Sequence, residues 1–89
     1  MREGALSLMG LALLQERFRL STGRYQDSAT LIDRRPLPPR VARHYVLQVQ
    51  LTDSAQGFRL LLQPRISESD YEAMGLDNTG RKWPLQLWP

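Results

Sequence analysis

Cysteine is absent from this sequence, and histidine occurs once, as His44. Disulfide scaffolds, zinc–thiolate centres and cysteine nucleophiles are therefore excluded together. A metal site on His44 would need carboxylates from elsewhere, and none is spaced for it; a core-edge or exposed histidine at the start of a strand is the expectation. Lysine is nearly missing too, because eleven of the twelve basic residues are Arg, set against nine acidic residues for a net charge of +3. That excess permits anionic partners without demanding them. No run reaches the roughly 18 apolar residues of a membrane span. The opening stretch MREGALSLMGLALL has the look of a secretory signal, but Ser7 and Gly10 break it and no small-residue cleavage site follows.

What is present fits one small domain. The chain has 89 residues, 42% of them apolar and 24% charged, a globular balance. A domain of this size buries roughly 60–65% of the surface its unfolded chain exposes, so the core is thin. Residues 3 to 21 predict one helix, with no Pro and no β-branched residue before Thr22. Leu11, Leu14 and Phe18 form one row, Ala5, Leu8 and Ala12 a second, and Leu6, Met9 and Leu13 a third. The first half of this helix is apolar nearly all round, more than one neighbouring layer can cover. Gly23 stands where a left-handed helix stop belongs.

Residues 24 to 43 read as an irregular connection, with Pro36, Pro38 and Pro39 opposing a regular helix and one helical turn conceivable at Asp27 to Ile32. The period then changes to two. Tyr45, Leu47, Val49 and Leu51 alternate with polar or exposed-type residues, which predicts a half-buried strand. Residues 53 to 57 read as a hairpin loop, Phe58, Leu60 and Leu62 continue the alternation, and Pro64 closes that strand. Met74 to Asp77 predicts a short third strand, Asn78-Thr79-Gly80 a tight turn, and Arg81 to Trp83 a fourth strand. Asp77 and Asn78 are suited to shaping that turn through side-chain-to-backbone bonds, and Gly80 to supplying its positive φ. The fold class expected is α+β: one N-terminal helix packed on a four-stranded antiparallel meander.

This succession resembles a type IV pilin, in particular a small PilE-like minor pilin. The exit Ser21-Thr22-Gly23-Arg24-Tyr25 is similar to the exit from the long pilin helix. Tyr45 to Val49 and Phe58 to Pro64 are similar to the first two sheet strands, and Met74-Gly75-Leu76-Asp77-Asn78-Thr79-Gly80-Arg81-Lys82 resembles a hairpin of the family. The resemblance covers most of the chain and is weakest between residues 26 and 43. It implies the globular domain of a longer subunit, residues 1–22 being the C-terminal half of the pilin helix, 23–43 the helix-to-sheet loop, 44–83 the sheet and 84–89 a tail. The apolar anchor with which the family opens is not among these residues, so the chain by itself is expected to be a monomer. The family joins an Asp-Cys pair to a later Cys-Trp pair by a disulfide; here Asp70 is followed by Tyr71 and Trp88 is preceded by Leu87. The expectation is that Tyr71 and Leu87 pack together, replacing a staple of roughly 2–4 kcal/mol with apolar contact of roughly 1–3 kcal/mol.

The function so implied is structural: a minor pilus subunit with other pilin subunits as partners, membrane-anchored in the bacterial inner membrane before assembly and at the cell surface after it. Adhesion, twitching motility and DNA uptake are the associated roles, and a type II secretion pseudopilin is an alternative. Leu6, Met9 and Leu13 are the residues expected to face neighbouring subunits. No nucleophile–base pair is visible, so no enzyme is expected, nor any cofactor or metal. A second reading is a DNA receptor using Arg34, Arg35, Arg40 and Arg43, since residues 1–44 carry eight basic and four acidic side chains. Solvated loop charges explain the run as well, because it contains no aromatic residue for stacking. The stretch Arg35 to Arg40 also has a PxxP pattern, for which a stiff spacer is the simpler reading. Glu68, Asp70 and Glu72 form an acidic patch without the oxygen spacing of a calcium loop. At the end of a small, thin core, Trp83 and Trp88 are expected to pack against the sheet or the helix in preference to forming an exposed binding pair.

Overall fold

A run from Arg2 that is rich in Leu, Ala, Arg and other helix formers, with no Pro, gives the longest element despite Gly4 and Gly10. In the computed structural model, which describes residues 2–66, 72–84 and 88, it is α1, Arg2–Thr22. Glu3 in its first turn and Arg19 in its last complement the helix dipole. At its end Gly23 adopts φ +84°, and its N–H donates to Arg19 O at 2.8 Å. The stripe Ala5, Leu8, Leu11 and Gln15 is buried and faces the sheet.

The connection to the sheet is not irregular, which corrects the sequence expectation. It holds two short helices, α2 (Ser28–Arg34) and α3 (Pro39–His44). Asp27 caps α2, its Oδ1 accepting the Thr30 N–H at 2.9 Å. Hydrogen bonding from Thr30 holds the Asp27 carboxyl below its usual range. Pro39 opens α3 in its first turn, where a helix needs no N–H from that residue and where the fixed φ is already suitable. Leu31 of α2 and Val41 of α3 are fully buried, so each short helix is held by one side chain set into the core.

The four strands are β1 (Tyr45–Thr52), β2 (Gly57–Pro64), β3 (Met74–Asp77) and β4 (Lys82–Trp83). They form an antiparallel sheet in the order β1-β2-β3-β4, as expected for a meander. The register sets Leu47 opposite Leu62, Val49 opposite Leu60, and Leu60 opposite Leu76. Phe58, Leu60, Leu62, Met74 and Leu76 from this face join Ala5, Leu8 and Leu11 in one core. Burial fades towards the β1–β2 turn, where Leu51 is 39% exposed. On the other face the Trp83 ring lies across Gly75, where any Cβ would overlap the indole.

A buried amide ties α1 to the segment leading into α2. Gln15 is fully buried, donates from Nε2 to Gln26 O and accepts from Gln26 N at Oε1, each at 2.8 Å. Next to it, Tyr25 meets Phe58 edge-to-face with ring centroids 4.7 Å apart, and its N–H donates to Ala55 O at 3.0 Å. The β1–β2 loop that supplies Ala55 carries three successive left-handed residues, Asp53, Ser54 and Ala55, at φ 51°, 55° and 68°. None is glycine, so each carries a backbone cost of about 1–2 kcal/mol. Bonds from Tyr25 N–H to Ala55 and from Gln56 Nε2 to Gly23 O (2.9 Å) offset it.

The β3–β4 turn is organised by Asp77. Its Oδ1 accepts from Thr79 Oγ1 (2.6 Å), Thr79 N (2.9 Å) and Arg81 N (3.0 Å), and Gly80 sits at φ +87° as expected. Asn78 reaches further than the turn, its Oδ1 accepting the Phe58 N–H of β2 at 3.2 Å.

Both polar anchors can be tested. Gln15→Ala removes both bonds to Gln26 and leaves a void, and should lower stability by about 2–4 kcal/mol in urea melts monitored by circular dichroism; a loss under about 0.5 kcal/mol, the range of an ordinary surface change, would contradict the clamp. Partial burial pushes the Asp77 carboxyl up, but the bonds from Thr79 and Arg81 and the Arg81 charge outweigh it, so the group lies below its usual range. A lowered native pKa stabilises above the unfolded value, about 3.9, and that share is lost as pH falls through the native value. Asp77→Asn should accordingly flatten the decline of melting temperature below about pH 4; an unchanged acid limb would refute the assignment.

Candidate functional site

Leu6, Met9, Leu13 and Leu20 lie within roughly 60° of one another around α1 at 3.6 residues per turn. They are 52%, 40%, 67% and 87% exposed. The buried stripe Leu8, Leu11 and Gln15 lies on the opposite side of the helix. Thus α1 has two apolar faces, and the sheet covers one. The first three outer residues are those singled out from the sequence. Leu20 is an addition from the structure; it sits in the more polar half of the helix, though its spacing of seven from Leu13 continues the row.

Beside this stripe runs a groove of about 330 Å³, lined by Met9, Ala12, Leu13 and Glu16 of α1, by Phe58 and Leu76, and by the turn residues Asp77, Asn78 and Gly80. Glu16 is fixed at its edge by the Tyr25 hydroxyl, which donates at 2.8 Å. Burial, then the Glu16 hydrogen bond and charge, raises the Tyr25 pKa against the opposing charge of Arg19. The hydroxyl keeps its proton at neutral pH, and the bond to Glu16 persists.

The four arginines of the basic run are divided among different surroundings. Arg34 sits over the Phe18 ring of α1 at 5.5 Å. Arg35 lies flat on the bare backbone of Gly10, where a Cβ would come within 2.5 Å of its Cζ. Arg40 and Arg43 are exposed on α3. Trp88 packs against the core and donates from Nε1 to Trp83 O at 3.2 Å, while Trp83 is half-buried under Arg59 at 5.4 Å. Both tryptophans pack, as expected. His44 is half-buried and ends α3. Among the described residues no three His, Cys, Asp or Glu side chains are grouped to hold a metal ion, and no helix is long and apolar enough to cross a membrane. Tyr71 and Leu87 lie outside the described residues, as do Glu68 and Asp70 of the acidic patch. The third member of that patch, Glu72, accepts the Tyr45 hydroxyl at its carbonyl, at 3.0 Å.

No family model matches the chain, and no curated protein is a significant match. Among solved structures, a type IV pilin from Shewanella oneidensis is similar, with a TM-score of 0.63 and 22% sequence identity over 89% of this chain and 81% of that one. At that identity the likeness is one of fold, and its coverage takes in most of the helix and the antiparallel sheet. The chain has the type IV pilin fold.

Proposed function

We propose that this chain is a structural subunit of a type IV pilus, of the minor-pilin kind, acting without covalent chemistry. The observation that carries this reading is the outer face of α1, with Leu6, Met9, Leu13 and Leu20 exposed opposite the face that holds the core. Isolated exposed apolar residues are ordinary, but an aligned row of four is the mark of a surface meant to be covered. Neighbouring subunits are the partners that the fold supports, and the groove beside Met9 and Leu13 offers room for their side chains. Assembly then places the protein in a filament at the cell surface, after a stage in the inner membrane with the rest of the pilin helix. The outer row lies outside the core cluster, so covering it requires no rearrangement of the core.

In the cell that produces it, Leu13→Glu should sharply reduce recovery of the protein in sheared filaments, by immunoblot. The purified domain should melt within about 0.5 kcal/mol of the parent, as an exposed substitution does. Gln50→Glu, on the outer part of β1, serves as the control and should incorporate normally. Normal incorporation of Leu13→Glu would refute the assembly role of this face.

A further inference from the structure

A second concavity, of about 410 Å³, opens away from the outer row of α1. It is lined by Ala29 and Ile32 of α2, by Leu37, by Ala42 of α3, and by Val46 and Leu47 of β1, with Arg65 at its rim. Val46 and Leu47 point to opposite faces of the sheet, so a slot touching both opens on the edge of β1 and not on either face. That edge is unpaired among the described residues. β1 stands at the end of the strand order and has β2 as its strand partner. Alternate residues of an antiparallel edge strand turn their N–H and C=O outward. From Val46 to Leu51 no such group finds a further partner among the described residues.

Arg65 is pre-oriented. Its Nε donates to Ala42 O at 2.8 Å, which anchors the guanidinium against α3, and its two Nη groups have no partner among the described residues. Exposed Arg40 and Arg43 on the same short helix add to the positive charge there, with Asp33 of α2 the nearby opposing residue in sequence. An apolar slot with one fixed charge at its mouth is the arrangement by which proteins orient a ligand that is greasy at one end and anionic at the other. A guanidinium fork whose Nη donors meet no described residue suits a carboxylate in particular.

We propose that the β1 edge is a docking site for an extended peptide segment that adds a strand beside Val46 to Leu51. It sets one apolar side chain into the slot and offers a neighbouring carboxylate to Arg65. Main-chain pairing supplies the affinity, and the slot with its charge supplies the specificity, as in other strand-addition sites. The surface shares no residue with the outer row on α1.

The probe is a phage-displayed library of random octapeptides selected on the 89-residue chain, with the best peptide then mapped by nuclear magnetic resonance. Enrichment of β-forming peptides that combine an apolar residue with Asp or Glu is expected, with shifts at Ala29, Val46, Leu47 and Arg65. Ala29→Trp, on the slot wall, should abolish binding while leaving the melting temperature unchanged. Arg65→Glu should weaken the same peptide about tenfold or more, the loss expected of one charge-assisted hydrogen bond, and in a fresh selection should favour Lys or Arg. Three outcomes would overturn the proposal. One is no enrichment over the Ala29→Trp protein. Another is a selected peptide whose shifts map elsewhere. The third is indole-3-acetate filling the slot as tightly as the peptide, which would leave strand pairing with no part in binding.

Discussion

Two hydrogen bonds from one buried amide set the direction in which the chain leaves α1. Gln15 satisfies both the N–H and the C=O of Gln26, much as a neighbouring strand would. Burying such an amide unpaired costs several kcal/mol, so a path offering one bond in place of two is penalised. With Gln26 pinned, its neighbours are committed. Tyr25 is turned inward against Phe58, and Asp27 comes to stand where it can cap α2. Tyr25 in turn engages the β1–β2 loop, adding a long-range bond at Ala55 to the local bonds from Gln56 N–H to Thr52 O and Asp53 O that close its three left-handed residues. The helix exit, the capped helix and the hairpin turn, each with its own local bonds, are thus brought together by a polar contact within an otherwise apolar interface.

The same geometry leaves α1 half covered. A sheet packs on one side of a helix, and here that side is used by Ala5, Leu8, Leu11 and Gln15. α2 and α3 occupy a flank, where Arg35 rests on Gly10. Leu6, Leu13 and Leu20 keep more than half their surface beyond the reach of any other described element. The outer row is therefore a product of architecture: a thin domain folds around one face of a two-faced helix and leaves the other exposed. Burying such residues in an assembly is favourable by roughly 25 cal/mol per Å² of apolar area, without any change in the domain's own core.

Local patterns are legible in the sequence, and contacts between distant segments are not. The stop at Gly23, the two-residue period of β1 and β2, and the Asp77–Gly80 turn each depend on neighbours in the chain, and each is where the pattern puts it. The stretch holding α2 and α3 departs from expectation because proline is a barrier only in a helix interior. It suits the first turn, where Pro39 stands. Asp27, three residues before Thr30, is a cap signal that outweighs the prolines further along. The outer row is visible as far as Leu13 and lost at Leu20, where charged neighbours hide the spacing. The slot at the β1 edge has no sequence signature, since its walls come from α2, α3, β1 and Arg65.

The predominance of arginine is in keeping with how several arginines pack, and the one lysine, Lys82, lies likewise over the Trp88 ring at 5.4 Å. Arg19, Arg34 and Arg59 lie over Tyr25, Phe18 and Trp83 at 5.8, 5.5 and 5.4 Å. Arg35 lies flat on glycine backbone, and Arg65 ties the end of β2 to α3. A planar, weakly hydrated guanidinium can stack on a ring or lie along a peptide plane, whereas an ammonium is a compact and strongly hydrated point charge. Each stacked pair contributes roughly 0.5–1 kcal/mol at exposed sites, so three of them matter against the roughly 5–15 kcal/mol typical of a whole domain. The basic excess, which in the sequence looks like an invitation to nucleic acid, is in good part a means of packing. The arginines left exposed include Arg40 and Arg43 of α3, which lie in the same part of the chain as Arg35 and Arg34 but stack on no ring among the described residues.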